Sequence, residues 1–195
     1  YLSFGDFPVD NSGATAALWL PRGIVYNKNL GAAPQAVDQN QIREFIARSY
    51  YSYTGGDAVA VHPLQGETTP SYTGPQPPYE HLNTDGKYSW LKAPRYNDQP
   101  MEVGPLARMA VAYAAGHGRV RELVNWALST LGLPQSALFS TLGRVAARGI
   151  ETLVLAEQLG GWITQLENNM KAGNKAIHDR TKWNPSTWPT QATGW

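Results

Sequence analysis

The 195-residue sequence contains no cysteine. That excludes disulfides, thiolate metal sites and cysteine nucleophiles within the chain, and it leaves the redox compartment open. Charge is scarce as well. Only 16% of residues are charged, and 16 Lys+Arg against 15 Asp+Glu leave a net charge of +1. Sparse, balanced charge without basic runs carries no nucleic-acid footprint. No apolar run reaches the ~18 residues that suggest a membrane span. No charged segment followed by an apolar one opens the chain, so no signal peptide is visible. The four histidines, His62, His81, His117 and His178, are isolated, with no His-x-x-x-His pair. A phosphate-binding loop, a Gly-x-Ser-x-Gly turn and an obvious carboxylate pair are all missing. What is present is apolar and aromatic: 42% hydrophobic residues, with Trp 7 and Tyr 10. Free-standing domains usually carry more surface charge, so the composition predicts a chain that covers much of its surface with a partner.

Residues 1–37 hold short apolar runs broken by turns, such as Ala16-Ala17-Leu18-Trp19-Leu20 before Pro21-Arg22-Gly23, and short strands fit them. Asp38 predicts an N-cap for a helix over about residues 39–51, with Ile42, Phe45 and Ile46 on one side. Residues 54–86 carry Pro63, Pro70, Pro75, Pro77 and Pro78, which exclude regular helix. Loops of that length are either disordered or functional, and the interspersed Tyr72, Tyr79 and Leu82 argue against disorder.

From Pro105 the periodicity is helical. Leu106, Met109, Ala110 and Tyr113 share a face, with Gly116 at the C′ position. A second pattern runs from Val120 through Leu131 to Gly132. In a third, Leu138, Leu142, Val145, Gly149, Leu153 and Ala156 fall on one line, and Gly160-Gly161 predicts a break or kink. Trp162, Ile163, Leu166 and Met170 continue it to Gly173, while Thr141, Gly143, Ala146 and Ala147 are small enough for another backbone to approach. The expected fold class is mainly α with minor β (α+β), read as a single partial domain. Short strands, one helix and partner-covering loops fill 1–103, a helical core fills 104–173, and 174–195 form an irregular tail.

Residues 86–113 organise the chain. Gly104-Pro105 reads as a helix start, with Pro105 where its missing N–H is harmless, and Glu102 lies just ahead, where the helix dipole favours negative charge. Lys92, Arg95 and Arg108 place three cations around that start. Taken on residues alone, they read first as structural cations that bridge loops or lay aliphatic stems on apolar surface. The same weighting makes His62, beside Pro63, a packing residue before it is a ligand. It makes Arg144 and Arg148 solvated helix charge, the second supported by Glu151 three residues on.

Six ordered segments change that weighting. Tyr88-Ser89-Trp90-Leu91-Lys92-Ala93-Pro94-Arg95 is followed by Met101-Glu102-Val103-Gly104-Pro105-Leu106-Ala107-Arg108. His62-Pro63 stands with Gly66-Glu67-Thr68-Thr69-Pro70. Ser140-Thr141-Leu142-Gly143-Arg144 leads to Ala146-Ala147-Arg148 and Glu151. Lys171-Ala172-Gly173-Asn174 and Lys182-Trp183-Asn184-Pro185-Ser186-Thr187-Trp188-Pro189 complete the series. Taken in chain order, they resemble the large subunit of nickel-iron hydrogenases over nearly the whole chain. Arg48-Ser49-Tyr50-Tyr51 departs from the family's His-Ser-Trp-Tyr, Thr69 replaces a common glutamate, and Gly149-Ile150 replaces Ala-Leu. A related quinone-reductase subunit of respiratory complexes shares the scaffold, but the Val-Gly-Pro-Leu-Ala-Arg and Trp-Pro motifs favour hydrogenase.

The resemblance implies reversible oxidation of dihydrogen, with electrons passed to iron–sulfur clusters in a partner small subunit. It also implies a nickel-iron centre held by two Cys-x-x-Cys motifs, neither of which is in this chain. The chain is therefore expected to be the central part of a longer large subunit, an expectation that Tyr1 and Trp195 as cut-looking ends support. It would hold no catalytic or metal-ligating residue and would be inactive alone. His62 would lie near the proximal cluster at the subunit interface, with Lys92, Arg95 and Arg108 as interface residues and Arg144 and Arg148 as core support. Membrane association would come only through other subunits, and the compartment, periplasmic side or cytoplasm, is left open. Zero cysteine keeps a second expectation alive: a cofactor-free structural or interaction protein on the same scaffold.

Overall fold

The computed structural model describes residues 1–9, 17–78, 82–176 and 183–191. These divide into two units, Tyr1–Glu151 and Thr152–Trp195, with the boundary inside the last α-helix.

The first unit opens with short strands. β1 (Leu2–Ser3) pairs antiparallel with β4 (Gly23–Ile24), and β2 (Asp6–Pro8) with β3 (Leu18–Leu20). β5 (Ile42–Phe45) pairs with β8 (Ala93–Tyr96), and β6 (Tyr51–Ser52) with β7 (Thr69–Pro70). Four two-stranded ribbons are too small to stand alone, and side-chain clusters hold them. Leu2, Ile24 and Tyr96 are buried together, with Phe4, Val37, Ile42 and Met101 against them. The Tyr96 hydroxyl accepts a hydrogen bond from the Asp38 N–H at 3.1 Å.

The helix expected over about residues 39–51 does not form. Asp38 does cap, accepting from the Asn40 N–H at 3.0 Å, but the element it starts is a single 3-10 turn, Gln39–Gln41. The chain then extends into β5, because the backbone of residues 42–45 finds partners in 93–96. On its other edge Glu44 exchanges two backbone hydrogen bonds with Val61, at 2.8 and 3.2 Å. The Glu44 amide and carbonyl therefore point away from β8, which makes Glu44↔Pro94 a pair without ladder bonds. Pro94, which has no N–H to offer, sits where that N–H would face outward, and it closes the edge of β8 to further strands.

The helices follow their capping signals. α1 (Pro105–Ala115) starts after Gly104 at φ 99°, ψ −162°, a conformation essentially restricted to glycine. It ends at Gly116 in the left-handed region, where the His117 N–H returns to the Ala112 carbonyl at 2.9 Å. α2 (Gly118–Thr130) follows at once, capped by His117, whose Nδ1 accepts from the Val120 N–H at 3.4 Å. Leu106, Ala107, Met109, Ala110, Val111, Ala112 and Ala114 of α1 are all buried, against α2 and β1 among others. A 3-10 turn, Gln135–Phe139, leads into α3 (Thr141–Lys171). A Cβ on Gly143 would lie 2.0 Å from the Leu138 carbonyl oxygen, so only glycine allows this close approach.

Two features of α3 bear on its sequence pattern. Its line of Leu142, Val145 and Leu153 is exposed, Leu142 at 79%, whereas Gly143, Ala147 and Glu151 are buried. Of the break or kink expected at Gly160-Gly161, the break does not occur. Glycine in a helix costs about 1 kcal/mol relative to alanine but does not forbid the conformation, and the helix runs on to Lys171. The second unit contains the rest of α3 and a 3-10 turn, Pro185–Thr187, capped by the Asn184 side chain, which accepts from the Ser186 N–H. Leu159, Ile163, Leu166, Met170, Trp183 and Trp188 are exposed on it.

Candidate functional site

The Gly104-Pro105 start fixes where Glu102 and Arg108 point, and both are clamped by α3. Arg144 donates to Glu102 through Nε at 2.7 Å and Nη2 at 2.6 Å. Arg108 forms a second fork, donating through Nε to Oε1 and through Nη2 to Oε2 of Glu151, the latter at 2.9 Å. Two bidentate arginine–carboxylate pairs thus tie the first turn of α1 to the first three turns of α3. The hydrogen bonds to Glu151 raise the Arg108 pKa further above its usual value, against the pull of burial. The Glu102 hydrogen bonds do the same for Arg144. Glu151, 8% exposed, is the most buried carboxylate among the described residues.

Lys92 organises the loops. Its Nζ donates to Glu44 Oε2 at 3.0 Å and to the Glu67 carbonyl at 3.0 Å, and it lies over the rings of Tyr51 and Tyr53, at 5.6 and 5.3 Å from their centroids. Burial pulls its pKa down, but Glu44 and Tyr53 outweigh that and hold it above the usual value. Cation and ring faces attract in such an arrangement. Beside it Tyr50, Tyr72 and Trp90 form an aromatic cluster, with Tyr72 stacked on Trp90 at 5.8 Å and 9°. The buried Ser49 hydroxyl donates to the Leu91 carbonyl, joining this cluster to the organising stretch.

His62 lies in the long loop. Its Nδ1 accepts from the Leu64 N–H at 3.2 Å, which places the proton on Nε2, 3.3 Å from the Gln39 carbonyl that accepts it. It lines a cavity of about 530 Å³ with Asn40, Arg43 and Val61 among others. A second cavity of about 430 Å³ is lined by Arg48, Ser49, Tyr88, Leu91, Lys92 and Arg95 among others.

The cations expected around one helix start are therefore engaged separately: Arg108 with Glu151, Lys92 with Glu44 and Glu67, and Arg95 with the Pro94 carbonyl at 2.8 Å. Arg144 joins Arg108 at the α1 clamp, while Arg148 is exposed on α3. Sequence reasoning missed the partners Glu44 and Glu102, the Lys87–Asp57 ion pair at 2.6 Å, and the His117 cap. Only His117 had a local signal, standing between a C′ glycine and the next helix. Tyr79, His81, His178 and Lys182 lie outside the described residues.

Among the described residues, three α-helices combine with short two-stranded ribbons, and the comparisons with known proteins identify the family. The profile of the nickel-dependent hydrogenase family matches residues 1–195. The uptake hydrogenase large subunit of Bradyrhizobium diazoefficiens is 39% identical over 99% of this chain and 34% of its own length. The hydrogenase-1 large chain of Escherichia coli K12 is 38% identical over the same shares. Among solved structures, the Ni-Fe-Se hydrogenase of D. vulgaris Hildenborough, in its as-isolated oxidised state, superposes with a TM-score of 0.63 at 25% identity. It covers 91% of this chain and 32% of that one. An H2-activated [NiFeSe]-hydrogenase of Dm. baculatum gives 0.60 at 27% identity, over 84% and 31%. The chain belongs to the nickel-dependent hydrogenase family. It spans about a third of the length of the curated relatives it matches.

The family implies nickel, but these residues do not fit a nickel ligand set. There is no thiolate donor, since cysteine is absent. Among the described residues no three His, Asp or Glu side chains converge. Glu102 and Glu151 are held by arginines, and the Nδ1 atoms of His62 and His117 already accept backbone N–H groups.

Proposed function

We propose that this chain supplies scaffold and subunit interface to a nickel-iron hydrogenase that converts dihydrogen reversibly into protons and electrons. In this reading the nickel-iron centre is held outside the chain, the electrons pass to iron–sulfur clusters of a small subunit, and the chain alone is inactive. The observation that carries it is the family match across residues 1–195, together with the lack of cysteine and of any converging His, Asp and Glu cluster among the described residues. The two arginine forks hold the α1 start rigidly against α3, which suits a supporting wall rather than a reacting group. His62, Lys92 and Arg95 lie on the loop side and are assigned to the face toward the small subunit. The uncovered apolar line of α3 is assigned to the remainder of a large subunit. Metal analysis and hydrogen uptake on the intact complex test the reading. Nickel and uptake activity are expected, and a complete gene product that ends at residue 195 and binds no nickel would overturn it.

The absence of cysteine favours a second reading, a cofactor-free structural protein on the same scaffold. Cys-x-x-Cys codons in frame on both sides of the sequence in its parent gene would eliminate it.

A further inference from the structure

The β5–β8 ribbon presents an unusual register. Arg43 stands directly opposite Arg95, with Phe45 opposite Ala93. Side chains opposite each other on a ribbon lie about 5 Å apart at Cβ, and like charges there are destabilising. No carboxylate among the described residues relieves them. Arg95 donates only to the Pro94 carbonyl, and Arg43 has no side-chain hydrogen bond or ion pair to any described residue. Glu44, the one acid on β5, alternates to the other face, where Lys92 holds it. Arg48 adds a third cation, in the 430 Å³ cavity it shares with Arg95, and among described residues its side chain bonds only the Gly86 carbonyl, at 3.3 Å. Arg43 lines the neighbouring 530 Å³ cavity. Asp98 is the only carboxylate lining either cavity, and it makes no ion pair with a described residue.

Arg43 and Arg95 on the ribbon and Arg48 just beyond it thus line the two cavities without an ion pair to any described acid, Asp98 included. Exposed Tyr88 and Leu91 stand at the rim of the first cavity. Arginine and aromatic residues are enriched at the centres of protein-binding surfaces. The net charge of +1 gives no long-range field for nucleic acid. We propose that this face docks an acidic, extended segment of a partner polypeptide, whose carboxylates seat between Arg43, Arg95 and Arg48. Pro94 closes the strand edge, so recognition runs through side-chain forks rather than strand addition. The proposal goes beyond the scaffold reading and stands whether or not the parent protein carries nickel.

The test titrates the full chain with a labelled synthetic peptide of alternating glutamate and alanine. The same peptide with glutamine for glutamate, inorganic phosphate and a single-stranded oligonucleotide serve as separate probes. The glutamate peptide is expected to bind, to weaken with rising salt, and to lose about tenfold or more in affinity in the R43Q/R48Q/R95Q variant. Arg43→Gln alone should melt no lower than the parent chain, since it removes a like-charge opposition. Equal binding of the glutamine peptide, phosphate or oligonucleotide, or an unchanged affinity in the triple variant, would overturn the proposal. So would a lower melting temperature for Arg43→Gln, which would make the arginine a structural residue.

Discussion

α1 and α3 are both helices with clear apolar periodicity, yet they end in opposite environments. Seven residues of α1, from Leu106 to Ala114, are buried, and the neighbours that bury them lie in this chain. α3 is longer and keeps Gly143, Ala147 and Glu151 inward, while Leu142, Val145, Leu153, Ile163 and Leu166 stay exposed. Apolar surface on that scale is uncommon on a free monomer and marks an interaction face. The difference shows that periodicity identifies a helix and its apolar line, but not whether the covering partner belongs to the same chain. α1 is covered within the chain; the outer apolar face of α3 is not.

The sharpest way to break this contrast is to cut into α1. Met109 is fully buried, so Met109→Ala should lower unfolding free energy by about 3 kcal/mol through lost transfer and a residual cavity. Urea denaturation measures it, and a loss below about 1 kcal/mol would mean that α1 can collapse around the gap. Next comes the clamp. Arg108→Met leaves the buried Glu151 carboxylate without its fork and should cost about 2 kcal/mol at neutral pH. The double variant R108M/E151M should recover most of that loss, because the penalty lies in the orphaned charge rather than in the pair's net worth. An additive double variant would show that the fork itself stabilises the joint between α1 and α3.

A smaller effect follows pH at the α1–α2 corner. Burial holds the His117 pKa below the ordinary value of 6.5, and its Nδ1 must stay unprotonated to accept the Val120 N–H. The unfolded chain therefore binds the proton first. The stability this group supplies is whole above its ordinary value and is lost as pH falls through the lowered folded-state value. His117→Asn keeps a capping acceptor and should flatten that slope, whereas His117→Ala should cost about 1 kcal/mol at neutral pH. Melting curves of the three proteins across the acid range decide it; equal slopes for the parent chain and the asparagine variant would remove His117 as the cause.

The features legible in the sequence were those decided within a few residues. Gly104-Pro105 and Gly116 bound α1 because helix caps depend on local backbone geometry, and Asp38 was rightly read as a cap. The element it caps differs from the expected helix: Ile42, Phe45 and Ile46 suit a helix by spacing, and the strand depends on residues 93–96 arriving from far along the chain. The site failed to show for the same reason. Arg148 three residues before Glu151 suggested a local pair, while the fork that holds Glu151 comes from Arg108 on another helix. Glu102 looked like a dipole partner for its own helix and is instead bound by Arg144. Sequence motifs named the family without these pairings, since family identity rests on residue order and ion pairing rests on the fold.

The smallest expected effect is also the most direct check on the contrast between the helices. If α3's outer face has no partner in this chain, Ile163→Gln and Leu166→Gln remove no buried contact and should each change unfolding free energy by no more than about 0.5 kcal/mol. Their effect should appear elsewhere. Binding of a hydrophobic dye to the folded chain should fall, and concentration-dependent self-association, followed by sedimentation velocity, should weaken. Inside a complete large subunit, where the proposed scaffold role places other helices on this face, the same substitutions should become strongly destabilising, as polar groups buried without partners are. A loss of several kcal/mol in this chain alone would instead mean that the face is covered from within, and α1 and α3 would then be helices of one kind.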